Sequence, residues 1–212
     1  MIYFNNPNVN DLDIKNVIKI CKSKNLARNI VSDKLSRFLK NKLNINFLTL
    51  TQSGSSALEV AMHLLNLKPS DEVIVPSYTF SATANAVVLA NGRPVFADIR
   101  EDDLCIDLNQ AEKLITKNTK AICLVHYGGN SCDIEKALYL KKKYKIKIIE
   151  DAAHALFSKF KNQYCGTIGD VGIYSFHDTK NFTSAQGGAI AINNKNLIKR
   201  GVNILNKGNS KK

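Results

Sequence analysis

The chain has 212 residues, 44% of them hydrophobic, enough to bury a sizeable core in one large domain. No run approaches the roughly 18 consecutive apolar residues of a membrane span, and the N-terminal MIYFNNPNVN lacks a basic segment followed by an apolar one, so no membrane role and a cytoplasmic location are expected. Thirty Lys and Arg against 18 Asp and Glu give a net charge of +12, but the basic residues stand singly along stretches such as KLSRFLKNKL and KALYLKKKYK without a nucleic-acid motif, which reads as a solvated surface compatible with a phosphorylated small molecule.

The first elements in the chain are helical. Ile14, Val17, Ile18 and Cys21, then Leu35, Phe38 and Leu39, recur at helical spacing, so residues 1–45 are expected to form an N-terminal helical segment. Between 46 and 205 short apolar runs read as strands: NFLTL, EVIVP, PVFADI, AICLVH, IKIIED, VGIYSF and GAIAIN. Helix-like segments separate most of the early ones. Continuous apolar strands alternating with helices are the pattern of a mostly parallel sheet covered on both faces, because each crossover helix shields one side. The expected class is α/β, with a mixed, mostly parallel sheet of about seven strands flanked by helices. After Asp151 the pattern changes. FSKFKNQYCGTIGD is polar and glycine-containing, and VGIYSF and GAIAIN follow with no room for a full helix between them, so the last strands should join through loops, some of them antiparallel. A helix-like LIKRGVNIL precedes a polar tail, 206–212, expected to fray. Cys21, Cys105, Cys123, Cys132 and Cys165 form no CxxC pair and no cluster with the four histidines, so they read as reduced packing thiols and no metal site is expected.

In such sheets ligands gather at the carboxyl ends of the strands, and four of those ends are unusual. After NFLTL, the residues Ser53, Gly54, Ser55 and Ser56 precede a helix whose buried face is Leu58, Ala61, Met62 and Leu65; the turn is either a plain serine cap or an anion cradle, since a helix start presents free N–H groups. After EVIVP, Tyr78 and Phe80 are either core or a platform for a planar ring. After IKIIE, Asp151 is either a helix cap or a carboxylate that needs a partner to offset its burial. In SFHDTKNF, Lys180 follows an apolar run; it is either a loop lysine or a half-buried amine whose ammonium form is disfavoured, available as nucleophile or base. Taken jointly, a phosphate cradle, a stacking aromatic, a carboxylate and an amine match the needs of pyridoxal phosphate: donors for its phosphate, a flat partner for its ring, an anion for its pyridinium nitrogen and a lysine for its aldehyde.

The stretches SGSSALEVA, DEVIVPSYTFSATANAVVLANGRPVFADI, LVHYGG, IIEDAAHA, GTIGDVGIYSFHDTKN and the GG of QGGAIAIN resemble the DegT/DnrJ/EryC1/StrS sugar-nucleotide aminotransferases. Within that family PSYTF, VHY and SFH-x-TKN are most like the segments of dTDP-4-amino-4,6-dideoxygalactose transaminases. The resemblance implies the large, cofactor-binding domain of the aspartate aminotransferase type I fold over residues 46–205, with the family's C-terminal small domain missing. By motif it makes Lys180 the Schiff-base lysine and proton shuttle, Asp151 the partner of the pyridinium nitrogen, and Phe80 the stacking ring. Ser55, Ser56 and Ser175 would hold the phosphate, Gly54 would let the backbone approach it, and His154 would lie near the ring and its hydroxyl. Relatives that act as sugar dehydratases carry histidine in place of the lysine, so Lys180 points to transamination. The implied reaction uses an amino acid donor, commonly glutamate, to aminate a keto-sugar on a nucleotide, of the dTDP-4-keto-6-deoxyhexose type, for lipopolysaccharide O-antigen or other surface polysaccharide, by a homodimer when full length. Gln186 departs from the family's glutamate before GG. The competing expectation is a catalytically silent remnant or interaction module that keeps the cofactor-domain fold.

Overall fold

Period-two alternation within the apolar runs decides how the chain is layered. The computed structural model describes residues 7–24, 26, 30–206 and 208. In chain order the elements are α1 (Asp11–Lys22), α2 (Ile30–Leu43), β1 (Leu48–Thr51), α3 (Gly54–Leu64), β2 (Glu72–Pro76), α4 (Ala82–Leu89), β3 (Arg93–Ala97) and α5 (Leu108–Lys113). They continue with β4 (Thr119–Val125), α6 (Ile134–Tyr144), β5 (Lys147–Asp151), β6 (Lys159–Phe160), β7 (Gln163–Tyr164), β8 (Val171–Ser175), β9 (Gly188–Ile192) and α7 (Lys195–Leu205). Among the described residues seven strands form one sheet in the order β1-β9-β8-β5-β4-β2-β3. The pairs β3–β2, β2–β4, β4–β5 and β5–β8 are parallel, whereas β9 runs against both β8 and β1. The expected mixed, mostly parallel sheet is therefore present, and its antiparallel strand is GAIAIN.

One face of the sheet carries Val73, Val75, Ala121, Cys123, Ile149, Val171, Ile173, Ile190 and Ile192, packed against α3, α4 and α7. The alternate residues Ile74, Ile122, Leu124 and Ile148 pack on the other face against α5 and α6. Strands buried on both sides explain why these runs are continuously apolar, since every position meets a helix. A third core joins Leu39 and Leu43 of α2 to Leu48, Tyr174, Ala189 and Ala191.

Local chemistry sets the helix boundaries. Asn10 accepts the N–H groups of Leu12 and Asp13 while Asp13 reaches back to the Asn10 N–H, a reciprocal cap that starts α1; Lys19 and Lys22 complement the dipole at its end. None of the α1 residues is buried, and Leu12 and Val17 are 65% and 60% exposed. Its amphipathic spacing thus specifies a helix without specifying what covers it among the described residues. In α3 the sequence spacing assigns Leu65 to the buried face, but the helix closes at Leu64, which is buried, and Leu65 is the partly buried cap.

The polar stretch after Asp151, expected as loop, contains the hairpin β6–β7, with Lys159 opposite Tyr164 and Phe160 opposite Gln163. Two-residue strands are too short to leave a period in the sequence, and the turn rests on Lys161 at φ 52°. Of the polar tail, Asn206 caps α7; residues 207 and 209–212 lie outside the described residues. No helix among the described residues is long and apolar enough to cross a membrane.

Candidate functional site

At the carboxyl ends of β8, β5 and β4 the sheet opens onto a cavity of about 480 Å³. Gly54, Ser55, Phe80, Asp151, His154, Ser175 and Lys180 line it together. These residues are scattered over more than half of the chain, and what unites them is that each ends a strand or follows the end of one.

One wall is the start of α3. Ser53 is its N-cap and accepts the N–H of Ser56 at 3.0 Å, so the cap reading is correct, and Gly54 to Ser56 belong to the first turn and do not precede the helix. The Gly54 and Ser55 N–H groups are in the first turn, where no intrahelical carbonyl reaches them, and both residues line the cavity, an arrangement favourable to an anion. Ser56 does not line the cavity: its N–H is held by Ser53, and its Oγ lies 3.0 Å from the Ser53 Oγ. The cradle depends on close backbone approach. A Cβ on Gly54 would lie 2.9 Å from the Ser175 Cβ, and one on Gly188 would lie 2.5 Å from the Ser53 carbonyl carbon and 2.6 Å from the Gly54 nitrogen. The second glycine of QGG is thus a packing surface for the first turn of α3. Gly188→Ala is expected to push that turn out of place, costing about 1–3 kcal/mol in urea unfolding and weakening inorganic phosphate binding measured by calorimetry.

Asp151, the last residue of β5, is buried at the floor. No helix follows it, so it does not act as a helix cap. Its Oδ1 accepts the Ala153 N–H at 3.1 Å and its Oδ2 accepts the Thr83 hydroxyl at 3.2 Å. Burial pushes its carboxyl pKa up, with the Ala153 N–H, the Thr83 hydroxyl and the charges of His126 and Lys180 acting in the other direction. Lys180 ends a turn in which its N–H bonds the His177 carbonyl at 2.9 Å. Burial pulls the Lys180 ammonium below the usual lysine range, partly offset by the Asp151 carboxylate. The amine is thus half-buried, as its apolar context predicts, and it shares a cavity with the acid at 151.

His154 accepts the Gly128 N–H on Nδ1 at 3.2 Å. Burial and the neighbouring Lys180 charge lower its pKa, so the neutral ring carries its proton on Nε2. The Tyr127 ring meets it edge to face at 5.4 Å, and the Tyr127 hydroxyl donates to Tyr78 at 3.1 Å. Phe80 is 76% and Tyr78 48% exposed, which removes the reading of either as core; both stand where the strand end has already left the sheet.

Sequence reasoning missed Thr79, Thr83, Tyr127, His177 and Glu150. Thr79 just before α4 and Thr83 in its first turn stand four apart, and that spacing was the available signal. Glu150 had none, because one residue of a period-two strand must face away from its neighbour. It points to the opposite side of the sheet from Asp151, where it is fully buried. There its oxygens accept the N–H groups of Gly166 and Ile168, both at 2.8 Å, and of Gly169. His126 receives the Cys132 N–H on Nδ1 at 3.1 Å and offers Nε2 to Glu150 at 3.0 Å. Burial pushes the Glu150 carboxyl up, but the His126 bond and the N–H groups of Gly169 and Gly166 outweigh it and hold it below the usual range. Gln186 lines the cavity, and nothing in the structure explains an amide there in place of a carboxylate.

The DegT/DnrJ/EryC1/StrS aminotransferase family matches residues 7–212. A UDP-4-amino-4,6-dideoxy-N-acetyl-beta-L-altrosamine transaminase of Campylobacter jejuni is 35% identical over 203 residues, 94% of this chain and 54% of its own length. The structure of Helicobacter pylori PseC, an aminotransferase involved in the biosynthesis of pseudoaminic acid, superposes with a TM-score of 0.92 at 31% identity, covering 99% of this chain and 57% of that one. NtdA of Bacillus subtilis, solved with its cofactor PMP bound, superposes with a TM-score of 0.82 at 30% identity over 92% of this chain and 45% of that one. The chain spans about half the length of the curated relatives it matches.

Proposed function

This chain belongs to the DegT/DnrJ/EryC1/StrS aminotransferase family, and from that premise we propose that its cavity binds pyridoxal 5′-phosphate and serves transamination of a nucleotide-linked keto-sugar. The observation that carries the reading is the meeting of Lys180, Asp151 and the α3 N-terminus around one cavity of about 480 Å³. The donor set fits the group. A helix start and two serine hydroxyls suit a dianionic phosphate. A buried carboxylate held by two neutral donors retains lone pairs for a ring N–H, and the amine is one that burial drives toward its neutral form.

Ser55, Ser175 and the first-turn N–H groups of α3 would bind the phosphate, and Phe80 would cover the ring. Asp151 would hold the proton of the ring nitrogen, while His154 Nε2–H would face the ring hydroxyl. When bound, pyridoxal phosphate supplies an aldehyde for amine exchange and an electron-withdrawing ring that eases proton removal from the substrate carbon. Lys180 Nζ would hold the cofactor at rest and then move the proton at that carbon. Residues 46–205 would form the cofactor-binding domain, with 1–45 as a helical segment and 206–212 as a tail.

The amino donor in this reading is glutamate. The acceptor is a dTDP-4-keto-6-deoxyhexose, on the likeness of PSYTF, VHY and SFH-x-TKN, in a homodimeric, cytoplasmic enzyme of surface polysaccharide assembly. The UDP-sugar relative makes the nucleotide the part of this reading most in need of test. The purified chain is expected to bind pyridoxal phosphate saturably, with a visible absorbance band, in competition with inorganic phosphate. A chain that stays colourless at saturating cofactor overturns the reading. The polypeptide extended to its relatives' length, given glutamate and dTDP-, UDP- or GDP-linked keto-sugars, then identifies the acceptor, whereas binding without turnover of any of them favours the silent remnant.

A further inference from the structure

We propose that Thr83, with Thr79 behind it, is a positioning residue that orients the Asp151 carboxylate toward the cavity and keeps it ionised there. Thr83 lies in the first turn of α4 and is fully buried. Its Oγ1 is 3.2 Å from Asp151 Oδ2 on one side and 2.9 Å from Thr79 Oγ1 on the other. A hydroxyl has one proton to give. An ionised Asp151 can only accept, so the Thr83 proton goes to Oδ2, and Thr83 must in turn accept from Thr79. The direction of the chain is thereby set: Thr79 donates to Thr83, and Thr83 donates to the carboxylate.

The arrangement matters because Asp151 is poorly supported for a buried acid. Among the described residues the charged and titratable groups around it are Cys123 from β4, His126 and Tyr127 just after β4, His154 beyond β5, and His177 and Lys180 after β8. His126 already gives its Nε2 to Glu150, and the Asp151 carboxylate accepts from the Ala153 N–H and the Thr83 hydroxyl. The Ala153 N–H fixes one oxygen from the backbone. Thr83 fixes the other from a different element, so the plane of the carboxylate is set by two anchors from separate parts of the fold. Burial works against the charged form, and a hydroxyl donor is the side-chain contribution that opposes it. Thr79 itself lines the cavity, so the chain runs from the acid to the wall beside Phe80.

The inference rests on the reading above for what Asp151 meets, and its test does not need the cofactor. The carboxyl carbon of Asp151 is followed by NMR against pH in the chain as it stands, in the wild type, in Thr83→Val and in Thr83→Ser. Valine keeps the shape and removes the donor, and is expected to raise the Asp151 midpoint by about one pH unit or more; serine is expected to restore it. A midpoint unchanged in a folded Thr83→Val chain overturns the proposal, as does a serine variant that shifts like the valine one. Should Thr83→Val not fold, Thr79→Val breaks the outer link at a partly exposed position and is expected to shift the midpoint in the same direction by less; no shift there sinks the idea. Pyridoxal phosphate titration of the same proteins separates the two readings. A wild-type chain that binds no cofactor while its Asp151 midpoint follows the Thr83 hydroxyl loses the function proposed above and keeps the hydroxyl chain.

Discussion

Lys180→Ala is expected to abolish covalent attachment of pyridoxal phosphate: borohydride treatment of the loaded wild-type chain should add the cofactor mass to the peptide containing Lys180, and the alanine chain should stay unlabelled. A loop lysine in water is ammonium throughout the neutral range and is not a nucleophile. Burial lowers the Lys180 pKa, with the Asp151 charge pulling partly the other way, so the neutral amine is reached at lower pH than for an exposed lysine. Attachment should therefore speed up with rising pH at values below the ordinary lysine range. The phosphate site proposed at the α3 N-terminus does not include Nζ, so Lys180→Ala should retain non-covalent, phosphate-competed affinity. Loss of both together would mean that the variant is misfolded, and equal labelling of variant and wild type would remove Lys180 from its assigned role. In the extended polypeptide the same substitution should reduce turnover by at least about a thousandfold, because the proposed nucleophile and proton shuttle would be lost together.

Glu150→Ala is expected to be the costliest single change to the fold, lowering the urea midpoint by an amount equivalent to about 3–5 kcal/mol. Among the described residues its carboxylate gathers the N–H groups of Gly166, Ile168 and Gly169 and the His126 ring. Removing the acceptor leaves these donors unmet at once, all buried except the partly buried Ile168 N–H, each a cost of about 1–3 kcal/mol before relaxation. The loss is structural in position as well. Three N–H groups of the 166–169 loop meet this one side chain of β5, beside the Asn193 amide on the Gly166 and Gly169 carbonyls, and the loop leads directly into β8, whose end carries Ser175 and, after it, Lys180. The pH dependence has a definite sign. The folded Glu150 pKa is depressed, so its contribution is fully present above the ordinary glutamate range and is lost as pH falls through the lowered folded value. Glu150→Gln should flatten that acid limb. An unchanged urea midpoint in Glu150→Ala would show that the loop is held by other means.

The neighbouring carboxylates make a useful contrast. Glu150 is saturated with donors and ionised for the fold's own use. Asp151, one residue on and on the other side of the sheet, has two neutral donors and a raised pKa, so its negative charge is an unfilled demand. Stability is spent at 151 and recovered at 150, a division expected where a site needs a partner that the chain itself does not provide.

The sequence by itself determined the layered architecture and most of the cavity wall. Apolar runs of strand length, separated by helix-period segments, can be buried only by a covered, mostly parallel sheet, and the ends of those strands must then converge on one edge. Gly54, Ser55, Phe80, Asp151 and Lys180 were legible for that reason: each is a local exception to its surroundings, placed at a strand end, whereas His154 and Ser175 were named only through the family resemblance. The tertiary structure alone decided what depends on a partner distant in the chain. Ser56 is turned to the Ser53 cap and away from the cavity, a choice made by helix geometry. Phe80 is wet, lying in the connection between β2 and α4. Thr83 reaches Asp151 across 68 positions, and Glu150 finds its donors in a loop that no period announces. Periodicity reports which face of an element is buried; it carries no information about which buried group on another element will meet it there, and in this protein the support of both acids is made of such meetings.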